Sequence, residues 1–271
     1  MRTPALAAML AALTPIAACA GPISSRIYPA PTVPLTLAGL PAGAKLITVT
    51  TADKLALHGV AIAPQPGRPT LLIFHGNGAS AASTVKWFAP LIALGYGVIA
   101  AEYRGYSANP GKPSEPGLAA DADAFYALAK ARAGAAPVWV VGHSLGGGVA
   151  FGLARRHTLA KLITIGTFSR LKAMVPKLAR AFVSDEYDNL DAIPTLDEPL
   201  YLIHGTADDV IPATEGNALY RAAQAARHAG GAYVVAGARH NPDGAALAAI
   251  VTAIERGSPA TLPATIKAYP F

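Results

Sequence analysis

Between residues 45 and 255 the chain alternates short runs that are apolar at nearly every position with longer, alanine-rich stretches. A strand apolar on both faces must be covered on both, and helices between successive strands supply the cover. The alternation therefore predicts an α/β fold with a mostly parallel central sheet of about eight strands and helices on both faces. Expected strands are 70–75 (Thr-Leu-Leu-Ile-Phe-His), 96–103, 138–143, 162–165, 200–204 and 232–236. An antiparallel pair, 45–51 and 55–63 with Ala52-Asp53 at the turn, adds an edge. Expected helices are 83–94, 117–131, 145–157, 169–182, 214–229 and 243–255. Asp121 and Asp123 are expected on the outer face of the second, and the fourth reads as amphipathic.

With 271 residues, 52% hydrophobic and 14% charged, the chain can bury one large core, and 45–256 reads as one domain. The net charge of +6 could suit nucleic acid, but the basic residues are scattered and zinc-finger spacing is absent. A mildly basic surface accounts for it, and no nucleic-acid partner is expected.

Residues 1–20 have the form of a secretory leader: Arg2, a short apolar stretch, then small residues. Ile16-Ala17-Ala18-Cys19 resembles the lipobox of bacterial lipoproteins, which would lipidate Cys19 and anchor the protein to a membrane. Ala18-Cys19-Ala20 equally fits ordinary cleavage before Gly21. Either reading places the protein in the cell envelope. Cys19 is the single cysteine, so no intrachain disulfide is expected. Residues 21–44, with Pro22, Pro29, Pro31, Pro34 and Pro41, read as an extended tether, and 257–271 as a surface tail.

The chemistry concentrates at Val140-Val141-Gly142-His143-Ser144-Leu145-Gly146-Gly147-Gly148, a Gly-x-Ser-x-Gly turn between an expected strand and an expected helix. Such a turn lifts the Ser144 hydroxyl out of the sheet, and its glycines are small because the bend is crowded. The helix beginning at Leu145 aims its first N–H groups where negative charge develops. A serine needs a base, and the base needs an orienting acid. In this arrangement the chain order is serine, acid, histidine. Of seven histidines only His240 both follows the acid and lies on the loop after the last expected parallel strand. Asp208 and Asp209 compete as acid; Asp208 is preferred, three residues past Gly205 and four before Pro212. His75, His143 and His204, at strand ends, are expected to pack or hydrogen-bond beneath the site, and His58, His157 and His228 to lie at the surface. One oxyanion donor should be the N–H of Leu145, the other that of Asn77 in Phe74-His75-Gly76-Asn77-Gly78-Ala79-Ser80, with Gly78 as alternative.

His75-Gly76-Asn77-Gly78, Tyr103-Arg104-Gly105-Tyr106, Gly142-His143-Ser144-Leu145-Gly146-Gly147, the run from His204 to Pro212 and Arg239-His240-Asn241 follow one another as in a branch of small α/β-hydrolases without a large lid, which the chain resembles from about residue 45 to 255. The resemblance implies that fold and an esterase-like acyl hydrolase acting through Ser144, Asp208 and His240. Ser107 stands where the branch usually has glycine, and Pro242 where an acid is common. About 35 residues between the expected strands ending near Ile165 and starting at Leu200 leave room for a short cap. There Phe168, Leu171, Met174, Val175, Leu178 and Phe182 form either an apolar wall or a helix's core face. The expected partner is a small-molecule acyl substrate, with no metal and no organic cofactor. A peptidase or amidase on the same triad is the alternative within enzymes, and a non-catalytic envelope scaffold the alternative outside them.

Overall fold

A computed structural model describes residues 27–271; the leader with Cys19, and residues 21–26, lie outside the described residues. One sheet runs through the molecule. Its strands are β1 (Lys45–Thr50), β2 (Ala56–Ile62), β3 (Thr70–Phe74), β4 (Gly97–Ala101), β5 (Val138–His143), β6 (Lys161–Ile165), β7 (Leu200–Gly205), β8 (Gly230–Val235) and β9 (Ile266–Pro270). The order is β1-β2-β4-β3-β5-β6-β7-β8-β9. The inner strands from β4 to β8 are parallel, while β1, β2 and β9 pair antiparallel at the two edges.

The helices are α1 (Ala81–Trp87), α2 (Ala89–Ala93), α3 (Glu115–Ala133), α4 (Leu145–Ala154), α5 (Asn189–Ala192), α6 (Ala213–Ala225) and α7 (Gly244–Arg256). Alternate residues of each central strand face opposite cores. Leu72, Phe74, Val140 and Leu202 pack with Phe125 of α3, Val149 and Phe151 of α4 and Leu219 of α6. Leu71, Ile73, Val141 and Ile203 pack with Val85 of α1 and Leu247, Ile250 and Val251 of α7. The unbroken apolar runs are thus explained: both faces of each strand are interior.

Several expectations change. The sheet has nine strands because part of the expected surface tail pairs with β8 as β9. The expected helix 83–94 is two short helices that meet at Phe88, just before Ala89-Pro90. The expected helix 169–182 is two 3₁₀ turns, Leu171–Met174 and Lys177–Phe182. Pro176 lies between them; it has no N–H to donate and forces Val175 into extended backbone, which ends the helix. Phe168 and Leu171 are buried, whereas Leu178 is 94% exposed and Phe182 is also exposed, so these residues form neither a continuous wall nor one core face. Asp121 is buried rather than outward; it accepts from the Arg104 backbone N–H and from Arg104 Nε. The described part of the proline-rich segment is not a free tether, since Tyr28 joins the core.

Candidate active site

The parallel strands end together along one rim, where ligands bind in open α/β sheets. Ser144 follows β5, in the middle of the sheet, and its N–H continues the ladder to Ile165 O at 2.9 Å. Its backbone has φ 53° and ψ −118°, a conformation that a side-chain-bearing residue holds only under constraint. The constraint is packing. A Cβ on Gly142 would meet Gly146 O at 2.4 Å, and one on Gly146 would meet Phe74 O at 2.0 Å. Strand, turn and α4 can close only around glycines.

Asp208 and His240 come from the loops after β7 and β8. His240 Nδ1 donates to Asp208 Oδ2 at 2.9 Å and approaches Oδ1 at 3.1 Å. The Asp208 side chain is 1% exposed. Its Oδ1 also accepts the N–H groups of Val210 and Ile211, at 2.9 and 2.8 Å. Burial works to raise the Asp208 pKa, but the bonds from His240, Ile211 and Val210 outweigh it and hold the carboxyl below its ordinary value. With Nδ1–H directed at the carboxylate, Nε2 of His240 is the nitrogen left to take a proton. Asp209 points elsewhere, pairing with Arg239 at the surface. Of the two candidates for the acid, only Asp208 bonds to His240.

His143 joins the two halves. Its Nε2 donates to the backbone O of His240 at 3.2 Å, and the two rings lie 4.7 Å apart. Burial, helped by nearby His240, pushes the His143 pKa down to about 3, so the ring stays neutral. Trp87 lies edge-on to His143 and donates Nε1 to Pro242 O at 2.7 Å, so the residue after Asn241 is an anchor point of the His240 loop. Among the described residues no hydrogen bond joins Ser144 Oγ to His240; catalytic contacts often tighten only with substrate bound.

Gly76 lies beside the serine, where a Cβ would stand 3.2 Å from Ser144 Cβ. Its neighbours Asn77 and Gly78 are exposed, and Asn77 Nδ2 is held by Ile27 O at 3.3 Å. Among the described residues the N–H groups of Leu145, Asn77 and Gly78 have no protein acceptor, so both expected donors, and the alternative, are uncommitted. Below them His75 is buried, with Nε2 at 2.9 Å from Glu102 Oε1 and Nδ1 at 2.8 Å from Gly76 O, and Glu102 Oε2 accepts the Ala81 N–H. His204 also lies beneath the site; Nε2 donates to Ile211 O and is 3.5 Å from Asp208 Oδ2. Two supports escaped the sequence. Glu102 is one acid in a strand-end run, and Tyr28 lies among prolines, so neither carries a motif. Ser107 adopts φ 47°, the left-handed backbone that glycine takes more readily.

Comparison with known proteins agrees with this architecture. Residues 69–192 match the family model described as the alpha/beta hydrolase fold. An uncharacterized protein of Mycobacterium tuberculosis is 34% identical over 218 residues, covering 77% of this chain and 76% of that protein. Human alpha/beta hydrolase domain-containing protein 17C is 31% identical over 172 residues, 62% of this chain and 52% of its own length. Among solved structures, an esterase of Pyrococcus furiosus superposes with a TM-score of 0.63 at 21% identity, covering 85% of this chain and 94% of that one. A lidless α/β serine hydrolase of Xanthomonas campestris superposes with a TM-score of 0.62 at 19% identity, covering 82% and 98%.

Proposed function

We propose that this chain, which has the α/β-hydrolase fold, is a serine hydrolase that cleaves carboxylic esters or related acyl bonds through Ser144, His240 and Asp208. The observation that carries the reading is the buried, ionised Asp208 holding the Nδ1–H of His240 beside the strained turn that presents Ser144. In this reading Ser144 Oγ attacks the acyl carbon while His240 Nε2 takes its proton. The tetrahedral oxyanion lies against the N–H groups of Leu145 and Asn77. Collapse expels the alcohol, protonated by His240, and leaves an acyl-enzyme. Water, deprotonated by His240, then releases the acid and restores Ser144. The substrate is a small or extended acyl compound, because the cap is short. The leader supports export to the cell envelope, with Cys19 as the point of lipid attachment.

The test is labelling of the leaderless protein by a fluorescent fluorophosphonate, beside Ser144→Ala and His240→Ala. Labelling of the parent that disappears in both variants is the expected result. A folded parent that does not label overturns the triad. Turnover of p-nitrophenyl butyrate against the matching anilide then separates ester from amide specificity.

A further inference from the structure

The segment upstream of β1 touches the loop after β3, the loop after β4 and the cap. Ile27 O accepts from Asn77 Nδ2. Pro29 lies beside Gly78, where a Cβ would be 3.7 Å from Pro29 Cγ. Pro31 O accepts the Ser107 N–H at 2.6 Å, on the loop after β4. Between these contacts Tyr28 is 4% exposed, and its hydroxyl donates to Asp185 Oδ2 at 2.5 Å and lies 3.1 Å from Tyr187 Oη. Tyr187 in turn packs on the nucleophile helix, since a Cβ on Gly148 would be 2.7 Å from its ring. The Glu115 carboxylate holds the N–H groups of Glu186 and Tyr187 at 2.6 and 3.0 Å. Tyr28 therefore links the upstream segment to the cap, and Tyr187 links the cap to α4.

We propose that residues 27–31 are a positioning element of the acyl-transfer site, with Tyr28 as its pin, and not a linker. The inference rests on the serine-hydrolase reading. An oxyanion donor acts only if its N–H is aimed before the charge develops, and loss of one donor costs about 10²–10³ in kcat. The Asn77–Gly78 loop is exposed, so its own packing does little to fix that aim. The strap supplies what the loop lacks: a side-chain bond to Asn77 and a ring against Gly78. Pro29 and Pro31 stiffen the strap, which lowers the entropy lost in ordering it.

The experiment compares protein beginning at Gly21, protein beginning at Thr32, and Tyr28→Phe in the longer form. Readouts are kcat and KM on p-nitrophenyl butyrate, the rate of fluorophosphonate labelling, and amide exchange. Removing the strap should lower kcat and the labelling rate together, by about 10- to 100-fold, a fraction of the loss of a whole donor. Exchange should rise in peptides covering 76–80 and 184–188 while β3 and β5 stay protected. Tyr28→Phe keeps the ring and loses both hydroxyl contacts, so kcat should fall several-fold with KM within twofold. Rates within twofold and unchanged exchange in both altered forms overturn the proposal. If the shortened protein does not fold, Tyr28→Phe decides. If even the parent does not label, the hydrolase reading falls, and exchange alone decides whether the strap holds these loops.

Discussion

The Nε2–H of His143 donates to the backbone carbonyl of His240 at 3.2 Å, so the residue before the serine fixes the residue proposed as its base. The end of β5 and a loop almost a hundred residues later are thereby registered to each other. The bond needs a proton on Nε2, which fixes the tautomer of the neutral ring, and burial keeps the ring neutral by lowering the pKa to about 3.

That burial has a consequence for stability. In the unfolded chain His143 takes up a proton below its ordinary pKa of 6.5; in the folded protein it does so only near 3. Between those values the unfolded state binds more protons, so this group's contribution to stability falls as pH falls. Urea unfolding at pH 7, 5.5 and 4.5 should show a steeper acid loss for the parent than for His143→Gln, by up to about tenfold in the unfolding constant per pH unit. Equal slopes would show that the ring titrates normally in the fold.

Asp208→Asn should lower kcat by about 10³–10⁴ with the fold retained, because the amide favours the wrong His240 tautomer. Asp209→Asn should change kcat less than about twofold, since it loses only an exposed pair with Arg239. Steady-state kinetics on one ester compares them, and equal losses would count against Asp208 as the acid.

Ser144→Gly should abolish labelling yet raise stability by about 1 kcal/mol, since glycine adopts positive φ without the strain serine carries. Chemical denaturation reads this directly, and a stability loss would mean that the turn stores no strain.

Gly146→Ala and Gly152→Ala share a helix and should diverge. The first places Cβ 2.0 Å from Phe74 O, a backbone atom, so soluble expression should collapse. The second meets nothing nearer than Arg156 Nη1 at 3.6 Å and should stabilise by about 0.5–1 kcal/mol through helix propensity. Thermal melts of both variants check the contrast.

Glu102→Ala leaves buried His75 and the Ala81 N–H without their carboxylate. The expected cost is about 2–6 kcal/mol, since two buried donors lose their acceptor at about 1–3 kcal/mol each. In calorimetry this is a Tm drop on the order of 10 °C. A smaller drop than about 3 °C would mean the pair bears little of the load under the Asn77 loop.

Much of the fold was legible because its signals are local. Runs such as Leu71-Leu72-Ile73-Phe74 have no polar face, so a sheet covered on both sides is the arrangement that buries them. The glycines around Ser144 announced a crowded bend in the same way. The reading went wrong where a local helix breaker was passed over and where distant partners decided. The stretch 169–182 has helical spacing, but Pro176 interrupts it. Asp121 was placed outward because a charged residue normally faces solvent, yet Arg104, seventeen positions earlier, provides its burial partner. Residues 266–270 became a strand because β8 offered an unpaired edge.

By itself the sequence determined the α/β architecture and the crowded turn at Ser144, because periodicity and steric need are written into neighbouring residues. Only the tertiary structure brought Asp208 rather than Asp209 to His240, gave His143 its hold on the His240 loop, and turned Tyr28 from part of a tether into a buried pin. These depend on which side chains meet across the ends of different strands, and a hydrogen bond requires atoms within about 3 Å, a condition that only the folded chain can meet.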